Sequence, residues 1–155
     1  MRAVKRWRYY CDHCKKVSGL RSAMEKHEKG CTLNPNRRCG ICDFLTTGGT
    51  PLSELMALLP DPAKFKHMES WDAGAEFGGS GEYEVMDDEA LAAATHAVLP
   101  KLRELTDNCP ACILAALRQR GIPVPIVTEF NFGDDMKEAQ SAMQAHRDEQ
   151  KGRYY

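Results

Sequence analysis

Residues 9–42, YYCDHCKKVSGLRSAMEKHEKGCTLNPNRRCGIC, carry five of the seven cysteines, and the tetrapeptide CPAC at 109–112 carries the other two. With His27 they sort into two sets of four and leave none over. Cys11, Cys14, His27 and Cys31 have two, twelve and three residues between successive positions, while Cys39/Cys42 and Cys109/Cys112 are two pairs, each with a two-residue gap. Zinc takes four nitrogen or sulfur ligands in a tetrahedron, and a two-residue gap lets both thiolates of a tight turn face one ion. The spacing predicts two zinc ions per chain.

Redox and targeting signals agree with a metal reading. An odd number of cysteines cannot all form disulfides, no N-terminal run has the apolar character of a secretory signal, and no stretch approaches the roughly 18 apolar residues of a membrane span. The expected setting is a reducing, cytoplasmic compartment with no membrane association.

Charge is divided along the chain. Through Cys42 there are eleven basic residues against Asp12, Glu25 and Glu28, and since the whole chain holds 21 basic and 22 acidic residues, the remainder is strongly acidic. A formal +8 segment therefore precedes a −9 segment, and zinc with three thiolates changes the first only to about +7. Such asymmetry points to contact with nucleic acid, with an acidic protein surface, or between the two halves themselves. Arg2, Lys5, Arg6, Arg8, Lys15, Lys16, Arg21 and Lys26 are the candidate contact residues.

Tyr9, Cys11, Cys14, Met24, His27 and Cys31 resemble the aromatic, paired cysteines, helix leucine and terminal ligands of a Cys-Cys-His-His zinc finger, with cysteine in place of the last histidine. The resemblance covers about the first fifth of the chain. It implies a short hairpin holding Cys11 and Cys14 and a helix holding His27 and Cys31. The family's core aromatic is missing, since Ser18 stands at its position, so Val17 or Leu20 is expected to fill that space. Ser22 and Glu25 have capping-box spacing, which starts the helix there, and Gly30 ends it. Four protein ligands leave no place for water or substrate, so the site is structural.

The resemblance places Leu20, Ala23 and Lys26 at the helix positions that reach base edges in zinc fingers. Two of these three lack a hydrogen-bonding group, which removes most of the ~1–3 kcal/mol of discrimination per bidentate contact. Non-specific phosphate contact, without sequence reading, is the form of DNA binding left open.

Cys39/Cys42 and Cys109/Cys112 resemble the knuckle and helix-start halves of a treble-clef-like zinc site, separated here by a long helical insertion. Gly40 is expected to adopt a left-handed conformation in the knuckle. One ion shared by both pairs would staple residues about 70 apart. A CPAC motif at a helix start also resembles a thioredoxin-like redox site, but that fold feeds a β-strand into the motif, and Leu102 to Asn108 reads as a helix end and turn.

The rest of the chain supplies helices. Thr50-Pro51 predicts a capped helix with Leu52, Leu55, Met56 and Leu59 on one face, ended by Pro60. Asp61-Pro62 predicts a second short helix carrying Phe65 and Met68, and Ser70 to Met86 reads as a glycine-rich acidic loop. Asp87, Asp88 and Glu89 suit a helix N-terminus, opening a helix to about Asp107 with Leu91, Val98, Leu102 and Leu105 inward and a bend at Pro100. Cys109 opens another helix, Ile113 to Arg120, closed by Gly121. Pro123 to Phe132 reads as an extended strand, and Asp134 to about Arg147 as a polar helix with Met136, Ala139 and Met143 on one side. Phe130, Phe132, Met136 and Met143 are the expected partner-docking residues.

The fold class is mainly α with small β elements: a zinc-finger hairpin-helix module plus a zinc-stapled helical domain and a C-terminal strand-helix tail. The divisions are a basic arm (1–8), the finger (9–34), the stapled helical domain (35–121) and the tail (122–155). His67, His96 and His146 read as surface or satisfied core histidines, His13 is poorly placed as a ligand, and no phosphate loop, nucleophile elbow or HExxH motif occurs. No catalytic residue is expected. The overall arrangement is similar to uncharacterised small proteins of tailed bacteriophages, which implies a structural or assembly component of a virion that contacts other proteins.

Overall fold

The computed structural model describes residues 6–47, 49–74 and 78–152. Among them are six α-helices and two antiparallel two-stranded sheets, so the chain is mainly α with small β elements. In chain order, β1 (Tyr9–Tyr10) and β2 (Val17–Ser18) precede α1 (Arg21–Gly30), α2 (Gly40–Leu45) and α3 (Leu52–Leu58). The hairpin β3 (Lys66–Asp72) and β4 (Ser80–Met86) then leads into α4 (Asp88–Leu105), α5 (Pro110–Arg120) and α6 (Phe132–Gly152).

The body is built around α5. Its run Cys112-Ile-Leu-Ala-Ala-Leu117 is apolar on every side, the pattern of a helix enclosed by neighbours, and Ile113, Ala115, Ala116 and Leu117 are fully buried. Proline suits its first turn, and Gly121 ends it at φ 81°, a left-handed conformation that glycine adopts without strain. α3 packs on α5 and α4, while α6 packs on α5 and α2. Leu91, Thr95, Leu99 and Leu102 repeat at helical spacing and form the buried stripe of α4. Asp87 caps that helix by accepting a hydrogen bond from the Ala90 amide at 2.9 Å.

The tail does not contain the expected strand. Residues after Gly121 form a 3-10 turn at Val124–Ile126 and further turns, with Ile122, Val127 and Phe130 buried in the body core. Pro123 and Pro125 lack amide donors and oppose a strand ladder, so Val124, Ile126 and Val127 pack in or against the core and do not form a sheet. α6 is then anchored at its start by the Arg103–Asp135 ion pair at 2.9 Å.

The glycine-rich segment departs from expectation in the opposite sense. It forms the β3–β4 hairpin, with Lys66 opposite Met86 and Asp72 opposite Ser80. Gly74 and Gly78 take positive φ near its turn. Gly81 lets Trp71 lie across the ribbon, because a Cβ there would come 2.8 Å from the indole Nε1. The helix expected at Asp61-Pro62 is a 3-10 turn, Pro62–Phe65, that runs directly into β3, so His67 and Met68 lie on a strand.

Several helix ends also differ. α1 starts at Arg21 with no side-chain cap, and Glu25 pairs with Arg21 at 2.8 Å in place of a capping box with Ser22. Thr50 does not cap α3; its hydroxyl donates to the Leu105 carbonyl at 2.7 Å. Gly40 begins α2 and is not left-handed.

The N-terminal module sits against the body through its outgoing loop. Arg118 Nη1 donates to Thr32 Oγ1, and Gln119 Nε2 donates to the carbonyls of Thr32 and Asn34, each at 2.9 Å. These bonds reach the polar C-terminal turn of α5, while the apolar face of the same helix stays in the core.

Candidate metal centres

The structure brings both predicted ligand sets together. Within each set, the donor atoms all lie within 4.8 Å of one another. Zinc–sulfur bonds of about 2.3 Å place tetrahedral sulfurs about 3.8 Å apart, and the Cys39–Cys109 and Cys42–Cys112 Sγ separations are 3.5 and 3.6 Å. A disulfide would require about 2.05 Å. Both clusters are therefore geometrically able to hold a metal ion.

The first cluster joins a hairpin to a helix. Cys11 and Cys14 lie in the turn after β1, which is closed by the Cys11 amide donating to the Lys16 carbonyl at 3.0 Å. His27 and Cys31 come from α1 and its C-cap, and His27 Nε2 lies 3.2 Å from Cys14 Sγ. Cys11, Met24 and Cys31 form a small buried core with Tyr9 and Cys14 against it. Val17 and Leu20 do not fill the missing aromatic position, since both are exposed. Ser18 instead accepts a hydrogen bond from the Leu20 amide at 3.1 Å. The Lys16 amide holds the Cys14 thiol below its usual range, whereas burial pushes Cys31 up.

The second cluster joins two helix starts. Cys39 is the N-cap of α2 and Cys109 the N-cap of α5, with Cys42 and Cys112 in the first turns. In each pair the cap cysteine's carbonyl accepts from the first helical turn: from Asp43 in α2 at 2.9 Å and from Cys112 in α5 at 3.1 Å. Free amides and positive potential at helix starts favour thiolates. Hydrogen bonding with Cys109 holds the Cys39 thiol well below its usual range, while bonds to Cys112, Cys39 and Cys42, together with burial, push Cys109 well above it. Four sulfurs this close cannot all ionise unaided, and a divalent cation removes that conflict.

Arg37 completes the surroundings. Its Nη1 donates to Cys112 Sγ at 3.6 Å, bringing a positive charge beside the cluster from the loop that leaves the first module. Sequence spacing gave no signal for this role, because Arg37 stood out only as one cation among eleven. A cavity of about 460 Å³ opens beside it, lined by Arg37, Arg38, Asp43, Thr46 and Thr50 along with Cys39 and Cys42.

The other predicted site residues fall in three groups. Arg6, Arg8, Lys15, Lys16, Arg21 and Lys26 are exposed on the first module, and Arg2 and Lys5 lie outside the described residues. Leu20, Ala23 and Lys26 are also exposed. Phe130 is only 5% exposed and belongs to the core, which removes it from partner docking. Phe132 is exposed, while Met136 and Met143 are half-buried on α6, the helix that already packs against α2 and α5. His13 is exposed and outside both clusters. His146 stacks edge-on to Phe44 at 5.6 Å between ring centroids.

Comparisons of the chain with protein-family models, with curated proteins and with solved structures found no match. No described helix is long and apolar enough to cross a membrane.

Proposed function

We propose that this chain is a non-enzymatic zinc protein, an adaptor or structural component whose two metal centres hold contact surfaces in place. The observation that carries the reading is that each cluster brings four protein donor atoms together; an ion bound tetrahedrally by all four would have no open coordination position for water or substrate. Three thiolates with one imidazole, and four thiolates, are donor sets that suit zinc in tetrahedral geometry. On this reading the ion at Cys39, Cys42, Cys109 and Cys112 ties the entry of the helical body to its central helix. Cys11, Cys14, His27 and Cys31 hold the hairpin and helix of the first module.

The surroundings of Cys109 and Cys112 favour this over thiol-disulfide exchange. A helix and a turn with Asp107 and Asn108 at positive φ precede the motif, where a thioredoxin-like site has a β-strand. Elemental analysis of purified protein tests the choice. Two zinc ions per chain are expected; one ion together with a titratable Cys109–Cys112 disulfide would establish the redox reading instead.

A nucleic-acid-binding role is the second reading, and a specific feature favours it. Trp7 is 85% exposed and Tyr10 65% exposed, among Arg6, Arg8, Lys15 and Lys16, none of which forms an ion pair among the described residues. Aromatic faces beside free cations suit stacking on single strands with phosphate contact. Affinity for an oligonucleotide should then fall steeply between about 50 and 200 mM salt. A flat dependence removes this reading.

A further inference from the structure

The β3–β4 hairpin stands largely exposed on the body. Every residue of β3 is exposed, and the ribbon carries Met68, Trp71 and Tyr83 at 59, 49 and 47% exposure. Its base is tied by the Asp87 amide donating to the Phe65 carbonyl at 2.8 Å. A two-stranded ribbon is marginally stable by itself in water, and both outer edges of this one carry unpaired ladder groups. Trp71 is held in place over Gly81 and Gly79, so the apolar surface is fixed as well as exposed.

Charge identifies what would cover it. Residues 66–86 hold Glu69, Asp72, Glu76, Glu82 and Glu84 against Lys66. Lys66 is neutralised by Glu84 at 2.6 Å, whereas Asp72 and Glu82 form no ion pair among the described residues. The first module presents the complement: Arg6, Arg8, Lys15, Lys16, Lys26 and Lys29 are exposed without an ion pair among those residues, next to exposed Trp7, Tyr10 and Leu20. No described hydrogen bond or ion pair joins the ribbon to this module within one chain. The module is held at the C-terminal turn of α5, and the ribbon leaves from the start of α4.

We infer that the acidic ribbon of one copy docks on the basic first module of a second copy. The inference rests on the adaptor reading, in which the first module is a contact surface. The contact is heterologous, so successive copies join head to tail and either close into a ring or extend. Opposite charges steer the encounter, and the exposed aromatics on both faces supply apolar burial.

Light scattering on the full chain over a range of concentrations, at low and high salt, tests it. Mass should rise above one chain with concentration at low salt and fall back as salt screens the charges. Asp72→Lys with Glu82→Lys, and separately Lys15→Glu with Lys16→Glu, should each weaken self-association by roughly tenfold or more. Mixing the two variants should restore pairing between unlike chains, since the unaltered ribbon of one then meets the unaltered first module of the other. Circular dichroism and metal content confirm that each variant folds. A monomer at every concentration, association indifferent to both reversals, or no recovery on mixing would overturn the pairing. So would a wild-type monomer whose finger cations bind an oligonucleotide. A monomer that still holds two zinc ions overturns the pairing alone, whereas fewer than two ions overturn the reading beneath it.

Discussion

The first metal cluster gathers its ligands from residues 11–31 around three buried residues, whereas the second ties residues 39–42 to 109–112 at the edge of a core that includes Leu55, Leu91, Leu102, Ile113 and Leu117. The same donor chemistry therefore does different structural work. In the first module there is too little apolar burial to offset chain entropy, so on the proposed reading a bound ion would serve as the core. In the body the helices pack on one another, and a bound ion would fix how residues 39–42 meet the start of α5. On the proposed reading, local spacing makes a metal-dependent module and distant spacing a staple on a fold with its own packing.

Removal of metal should separate the two regions most strongly. Chelation removes on the order of 10 kcal/mol of apparent binding energy from a small structural zinc site, so the hairpin and α1 should unfold while much of the body's helix signal remains. Hydrogen exchange by mass spectrometry checks this by region, and protection retained at residues 9–31 after metal loss would break the contrast. Cys31→Ser should reproduce the effect on the first module alone. Cys109→Ser should instead lower the stability of the body, with exchange rising at α2 and the start of α5.

Next in size is Leu117→Ala. The side chain is fully buried on the central helix, and truncation there should cost about 2–5 kcal/mol in denaturant unfolding. Zinc bound by the first module should be unaffected. A loss of both metals on this single core change would show that the two regions fold as one unit.

Ligand spacing was readable because tetrahedral metal geometry makes a local demand on sequence, and α3, α4, α5 and α6 were readable from apolar periodicity and their proline, glycine and acidic boundaries, whereas α2 was read only as a knuckle. The β3–β4 hairpin was not readable, because Gly79 and Gly81 look like loop residues until Trp71 is seen to lie over them. The buried segment around Val127 and Phe130 was misread for a related reason: β-branched and aromatic residues mark burial as well as strands, and the prolines beside them exclude the strand. Arg37 acquires its place only when residues 75 apart meet at Cys112.

A smaller effect tests that last contact. Arg37→Ala removes a charge-assisted bond to Cys112 and should weaken metal retention at the second cluster by roughly 1 kcal/mol, seen as faster zinc transfer to a competing chelator. The first cluster should release its ion at an unchanged rate. Equal acceleration at both would mean that Arg37 acts on the junction between regions and not on the cluster.

Native mass spectrometry before and after chelation reads ion number and folding from one spectrum. Two zinc ions per chain are expected, and on their removal a shift to higher charge states that marks the opening of the first module. A folded chain carrying one ion or none, with a mass two hydrogens lower from a Cys109–Cys112 disulfide, would contradict the two-zinc reading.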